Sequence, residues 1–109
     1  MPALGAHLMS AGFYSEALGD ALTITMGFQN FIKLDPNGSH RGVTLPAEEG
    51  NSGAWFYILN SGTSAENLVV YDDTDTPVTI VTIAQNEAAI VTCDGSAWSH
   101  MGIMTIALS

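Results

Sequence analysis

The chain has almost no positive charge. Lys33 and Arg41 are its only two basic residues, set against eleven acidic ones, for a formal net charge of -9. Phosphate binding needs clustered Lys and Arg to displace counterions, so this balance argues against a nucleic-acid partner and against an anionic membrane surface. Charge of either sign is scarce, at 12% of residues, about half the usual share. Cysteine is scarcer still: Cys93 stands alone, so no internal disulfide can form and the fold does not lean on an oxidising compartment. Long apolar runs are missing too, each being broken by Thr, Asn or Asp, which argues against a membrane-spanning helix. The first residues lack the basic start and long apolar stretch of a secretory signal. Asn37-Gly38-Ser39 therefore reads as a loop tripeptide and not as a glycan acceptor.

What remains is apolar and β-branched. A length of 109 residues with 47% apolar side chains fits one folded domain with one hydrophobic core. So little charge leaves much of the surface neutral. Part of it is expected to lie under a neighbouring copy or another partner, since a lone soluble domain rarely exposes a large apolar patch.

Residues 1–19, MPALGAHLMSAGFYSEALG, differ from the rest. They follow neither a helical nor an alternating period and carry one acidic residue, Glu16. Leu4, Leu8, Phe13, Tyr14 and Leu18 are too many large apolar groups for a solvated tail. The segment reads either as an N-terminal arm packed on the domain, a sister subunit or a larger surface, or as an ordinary first strand. The arm is the preferred reading, and Leu4, Leu8, Met9, Phe13 and Tyr14 are its candidate contacts.

Residues 20–109 read as a β-domain. Alternation marks a strand in ALTITM (21–26), and NFIKL (30–34) is a second. Asp35-Pro36-Asn37-Gly38 is strong turn chemistry, because Pro presets its backbone angle and Asn-Gly tolerates the left-handed region. VTL (43–45) follows. AWFYILN (54–60) is apolar on both sides, which predicts a central strand covered on both faces. NLVVYD (67–72) and VTIVTI (78–83) flank DTDTP and read as a hairpin. AAIVTCD (88–94) turns at Asp94-Gly95-Ser96 into AWSHMGIMTIAL (97–108). The expectation is an all-β chain: a single small antiparallel β-sandwich or barrel-like domain of about eight short strands, preceded by the arm.

No residue set announces catalysis. A nucleophilic cysteine needs a base or a positive field, whereas Cys93 sits between Thr92 and Asp94 on the apolar face of Ala89 and Val91. It reads as a small buried hydrophobe, with Asp94-Gly95 as the hairpin turn and Trp98 capping from the return strand. His7, His40 and His100 share no metal-ligand spacing. Asp72, Asp73 and Asp75 have alternate carboxylates but lack the glycine and later glutamate of a calcium loop, so they read as a solvated hairpin tip. No nucleophile elbow or phosphate-cradling glycine loop occurs. No enzyme, cofactor or metal is expected. Trp55, Phe56, Tyr57 and Trp98 could stack on sugar rings, but consecutive aromatics alternate faces and at most two share a side. Core packing is their preferred role, and Trp55 is placed in the structural framework.

The order of segments from 43 to 98 carries a resemblance. It runs through a strand ending in Leu-Pro, Ile-Leu-Asn followed by Ser-Gly-Thr, and Asn-Leu-Val-Val-Tyr-Asp. It closes with Glu-Ala-Ala-Ile-Val and Cys-Asp-Gly-Ser-Ala-Trp. This resembles the small β-modules of tailed-phage virions, found in head decoration (cement) proteins, head fibres and tail fibres. The resemblance implies an architectural role without catalysis, with Asn60, Cys93, Gly95 and Trp98 as framework. It implies a virion protein on the outer capsid surface, made in the host cytoplasm, that binds across neighbouring major capsid protein subunits as a homotrimer. A fibre or carbohydrate-binding module for host attachment is the alternative, and a small carboxylate hydrolase is a third class.

Overall fold

The computed structural model describes residues 13–106, which form nine strands and no helix. They are β1 (Tyr14–Ala17), β2 (Leu22–Thr23), β3 (Phe31–Asp35), β4 (Arg41–Thr44), β5 (Trp55–Asn60), β6 (Leu68–Tyr71), β7 (Thr79–Ile83), β8 (Glu87–Cys93) and β9 (Trp98–Thr105). The chain is all-β, in two sheets ordered β1-β3-β5-β8-β9 and β2-β4-β6-β7.

The sheets are mixed, which corrects the antiparallel expectation. Through β6 the chain alternates between the two sheets, so β1, β3 and β5 run parallel in one, and β2, β4 and β6 run parallel in the other. Only the later pairs β5/β8, β6/β7 and β8/β9 are antiparallel. The physical reason lies in the connections. The Pro36-Asn37-Gly38 turn has φ of 60° at Asn37 and 90° at Gly38, as its sequence demands. It carries the chain from β3 across to β4 in the facing sheet, instead of folding β4 back alongside β3. Asp35 Oδ1 accepts the Asn37 N–H at 2.8 Å, and Arg41 Nε donates to the Pro36 carbonyl at 2.8 Å, which pins this arch from both sides. The two hairpins read from sequence, β6/β7 and β8/β9, are both present.

The ninth strand lies in the expected arm. β1 adds to β3 with Tyr14 opposite Ile32 and Glu16 opposite Leu34. Leu18 follows at 1% exposure, its N–H donating to the Asp35 carbonyl at 2.8 Å. Residues 14–18 therefore pack on the β-domain itself, one of the placements expected for the arm, as the edge strand of the first sheet. The expected contacts Leu4, Leu8 and Met9 lie outside the described residues.

The core sits between the sheets. Ile32, Leu34, Phe56 and Ile58 of the first sheet face Val43, Leu68, Val70 and Ile83 of the second, all at 2% exposure or less. Burying each such side chain contributes about 1.5–3 kcal/mol. β5 is central in its sheet, as expected, and its two faces are covered unequally, since on the outward side Leu59 is buried and Trp55 is not. Phe56 and Ile58 are buried inward, while Trp55 on the opposite side is 46% exposed.

Candidate binding face

Strand register assembles the outer face of the five-stranded sheet from residues far apart in sequence. Phe31 lies opposite Tyr57, which lies opposite Ile90. The next outward row joins Ser15, Lys33, Leu59, Ala88 and Met104. A third row joins Trp55, Thr92 and Ser99. Lys33 is the one charged side chain in these three rows, although the chain as a whole is strongly acidic.

Aromatic rings knit the centre of this face. Phe31 stacks on Tyr57 with centroids 4.5 Å apart, and Phe13 meets Phe31 edge-on at 5.9 Å. Offset and edge-on contacts are the arrangements that ring quadrupoles favour. The Lys33 ammonium lies 6.0 Å from the Phe13 ring centroid, at the outer limit of a cation–π contact. Phe13, Phe31, Lys33 and Leu59 line a shallow hollow of 320 Å³. Of the expected arm contacts, Phe13 belongs to this face and is half-exposed. Tyr14 points the other way, packs on Phe28 at 4.6 Å between centroids and donates its hydroxyl hydrogen bond to Glu16. That bond, with some burial, raises the Tyr14 pKa above its ordinary value.

The framework residues hold the hairpins and arches behind the face. Cys93 is 4% exposed and pairs with Trp98 across β8/β9. Its Sγ lies 3.4 Å from the Gly95 backbone nitrogen and 3.7 Å from the Glu48 carbonyl. Gly95 takes φ of 95°, the left-handed geometry that a tight turn requires. Asp94 Oδ1 accepts N–H bonds from Ser96 and Ala97 at 2.8 Å each, and these bonds hold its pKa below the usual carboxylate value. Trp98 is buried against Phe56, and its Nε1 donates to the Pro46 carbonyl at 2.9 Å. Asn60 is fully buried and fully used: Nδ2 donates to the carbonyls of Glu66 and Ile83, and Oδ1 accepts the Gly62 N–H. Trp55 stands apart from these four, exposed on the outer face.

The other candidate chemistry resolves into local structure. Asp72 Oδ1 accepts bonds from the Thr74 hydroxyl at 2.7 Å and the Val78 N–H at 2.9 Å, which lower its pKa and close the acidic turn on itself. His40 Nδ1 accepts the Asn67 N–H at 2.8 Å, with Glu66 at 3.7 Å. His100 Nδ1 accepts the Gly102 N–H at 3.1 Å. Among the described residues no three His, Cys, Asp or Glu side chains converge as metal ligands.

Sequence reading missed the face itself. Its signal was in the outward residues of β3 and β5, but only the parallel register sets Phe31 against Tyr57. The chain matches no protein-family model, and no curated protein matches it significantly.

Proposed function

We propose that this chain is a structural decoration protein of a tailed-phage virion, binding across neighbouring major capsid protein subunits through the outer face of its five-stranded sheet. One observation carries the reading. Parallel sheet is ordinarily covered on both faces, yet on the outer side of β1-β3-β5 Phe13, Phe31 and Trp55 are exposed and Tyr57 half-buried around the buried Leu59. An apolar, nearly uncharged face on an acidic chain is suited to a flat protein partner. The resemblance over 43–98 supplies the identity of that partner.

The mechanism is physical. A ligand that binds only the assembled shell stabilises it by mass action. Repeated copies of a modest contact add up across the lattice. The remaining acidic surface keeps the decorated particle soluble.

The test is cosedimentation with capsids that lack the protein. Saturable binding that is lost on combined Phe31→Ser and Trp55→Ser substitution, with the thermal unfolding midpoint retained, supports the reading. No binding of the wild-type chain to expanded or unexpanded shells sinks it. A second reading, a carbohydrate-binding module for host attachment, draws on Trp55 and Tyr57 sharing the outer side of β5. Glycan-array binding that disappears with Trp55→Ala would favour it.

A further inference from the structure

The two sheets are unequal, and the difference exposes one strand. The first sheet has five strands and the second has four, and among the described residues no strand pairs with the far side of β9. Ile103 is opposite Ala89, whose side chain is fully buried in the core, yet Ile103 is 48% exposed. Met101 is 70% exposed and Met104 39%. Trp98 is buried at the start of β9, and the seven residues after it are exposed.

The four sheet edges are not protected alike. Proteins blunt free edges by keeping them short or by adding charge and proline. β2 has two residues, β1 has four and carries Glu16, and β7 is bordered by Pro77 and the acidic turn of Asp72, Asp73 and Asp75. β9 runs for eight residues, WSHMGIMT, with no acidic residue, Lys, Arg or Pro. Its one irregularity is the register shift opposite Ala89–Val91, where Gly102 takes φ of 94°. That bulge adds twist but no charge.

We propose that β9 is a self-association edge, pairing antiparallel with β9 of a second copy about a two-fold axis normal to the sheet. Charge selects the occupant. At a net charge of -9, most surfaces of this chain would set carboxylates against carboxylates when brought against a copy. The β9 edge is neutral on both sides of such a pair, and an antiparallel strand pair about a two-fold needs no second sequence. The pair makes one ten-strand sheet with the two outer apolar faces side by side, in place of the three-fold association that the resemblance implies. One strand pair buries less than a standard interface, so association in solution is weak and grows with concentration. The proposal stands whether or not the partner of the outer face is a phage shell.

The test is light scattering of the full chain from low to high micromolar concentration, with Met101→Lys/Ile103→Lys alongside. Both positions are exposed, so the variant retains the fold, checked by the near-ultraviolet signal of buried Trp98. The expected result is a mass rising towards twice the 11.5 kDa of one chain, with the variant remaining at one chain throughout. A trimer, a wild-type chain that stays single at high micromolar concentration, or a double variant that still pairs each overturns the proposal. So does a single chain whose β9 amides exchange slowly until residues 1–12 are removed, because the chain's own segment would then be the occupant.

Discussion

Asn60 offers the sharpest test of how the two sheets are joined. It lies on β5 of the first sheet, and its Nδ2 donates to the Ile83 carbonyl on β7 of the second at 3.0 Å and to the Glu66 carbonyl at 2.8 Å. Its Oδ1 accepts the Gly62 N–H at 2.9 Å. Asn60→Ala strands these three backbone groups. The Ile83 and Gly62 bonds are buried, and each orphaned buried group costs about 1–3 kcal/mol. The expected loss is about 2–5 kcal/mol, a large part of the roughly 5–15 kcal/mol that holds a domain together. For a domain of this size it lowers the unfolding midpoint by on the order of 10–25 °C. Asn60→Asp separates hydrogen bonding from shape. The carboxylate keeps the Gly62 bond but turns its second oxygen towards two carbonyls. Burial and that repulsion raise its folded pKa above the unfolded value of about 3.9. A raised pKa contributes stability at low pH that is lost as pH rises, so Asn60→Asp should fall further below wild type between about pH 4 and 7. Urea unfolding at a series of pH values reads both effects. A loss below about 1 kcal/mol for Asn60→Ala, or an Asn60→Asp variant as stable as wild type at pH 7, would falsify this account of the joint.

Four further outcomes follow from the geometry. Trp98→Phe keeps most of the ring packing but frees the Pro46 carbonyl, and should cost about 1–3 kcal/mol by denaturant unfolding; an unchanged midpoint would show that the bond is dispensable. Gly95→Ala forces φ of 95° on an L-residue and sets its Cβ 3.2 Å from that of Ser52, so a loss of about 1–2 kcal/mol is expected. Asp94 and Asp72 have lowered folded pKa values, so their contribution is present above the unfolded carboxylate pKa and is lost as pH falls through the folded values. Asp94→Asn should therefore flatten the acid limb of the stability profile, and an identical limb would count against the turn bonds. Removing residues 1–12 should leave the cooperative unfolding transition in place, whereas removal through residue 19 deletes β1 and Leu18 and should lower the midpoint markedly.

Strand positions were legible because turn chemistry and alternation are local. Pro36-Asn37-Gly38 and Asp94-Gly95 both mark a reversal of the chain, and both reversals are present. Partner choice was not legible, because a turn that closes a hairpin and one that arches to a facing sheet use the same residues. Asp94-Gly95 returns β9 onto β8, while Asn37-Gly38 sends β4 across the core. β1 was obscured for another reason. Its four residues place Glu16 on the inward row, where an apolar side chain would signal a strand, and the Tyr14 hydroxyl satisfies that carboxylate. No window of four residues reveals such a compensation.

The aromatic strand β5 shows how far composition reaches towards function. A run apolar on both sides reports that both faces are to be covered, and it does not say by what. Phe56 and Ile58 find their cover in the second sheet. Trp55 and Tyr57 point outward, where parallel register brings Phe31 onto Tyr57 and leaves Trp55 with no element of the described chain above it. The same logic applies to β9, whose neutral eight residues would suit the middle of a sheet but stand at its edge. In both places the sequence is written for burial that the described residues do not provide. Two such mismatches adjoin one sheet, and Met104 lies on both the outer face and the edge strand. An assembly in which copies meet at β9 and present their outer faces to a common partner satisfies the two at once.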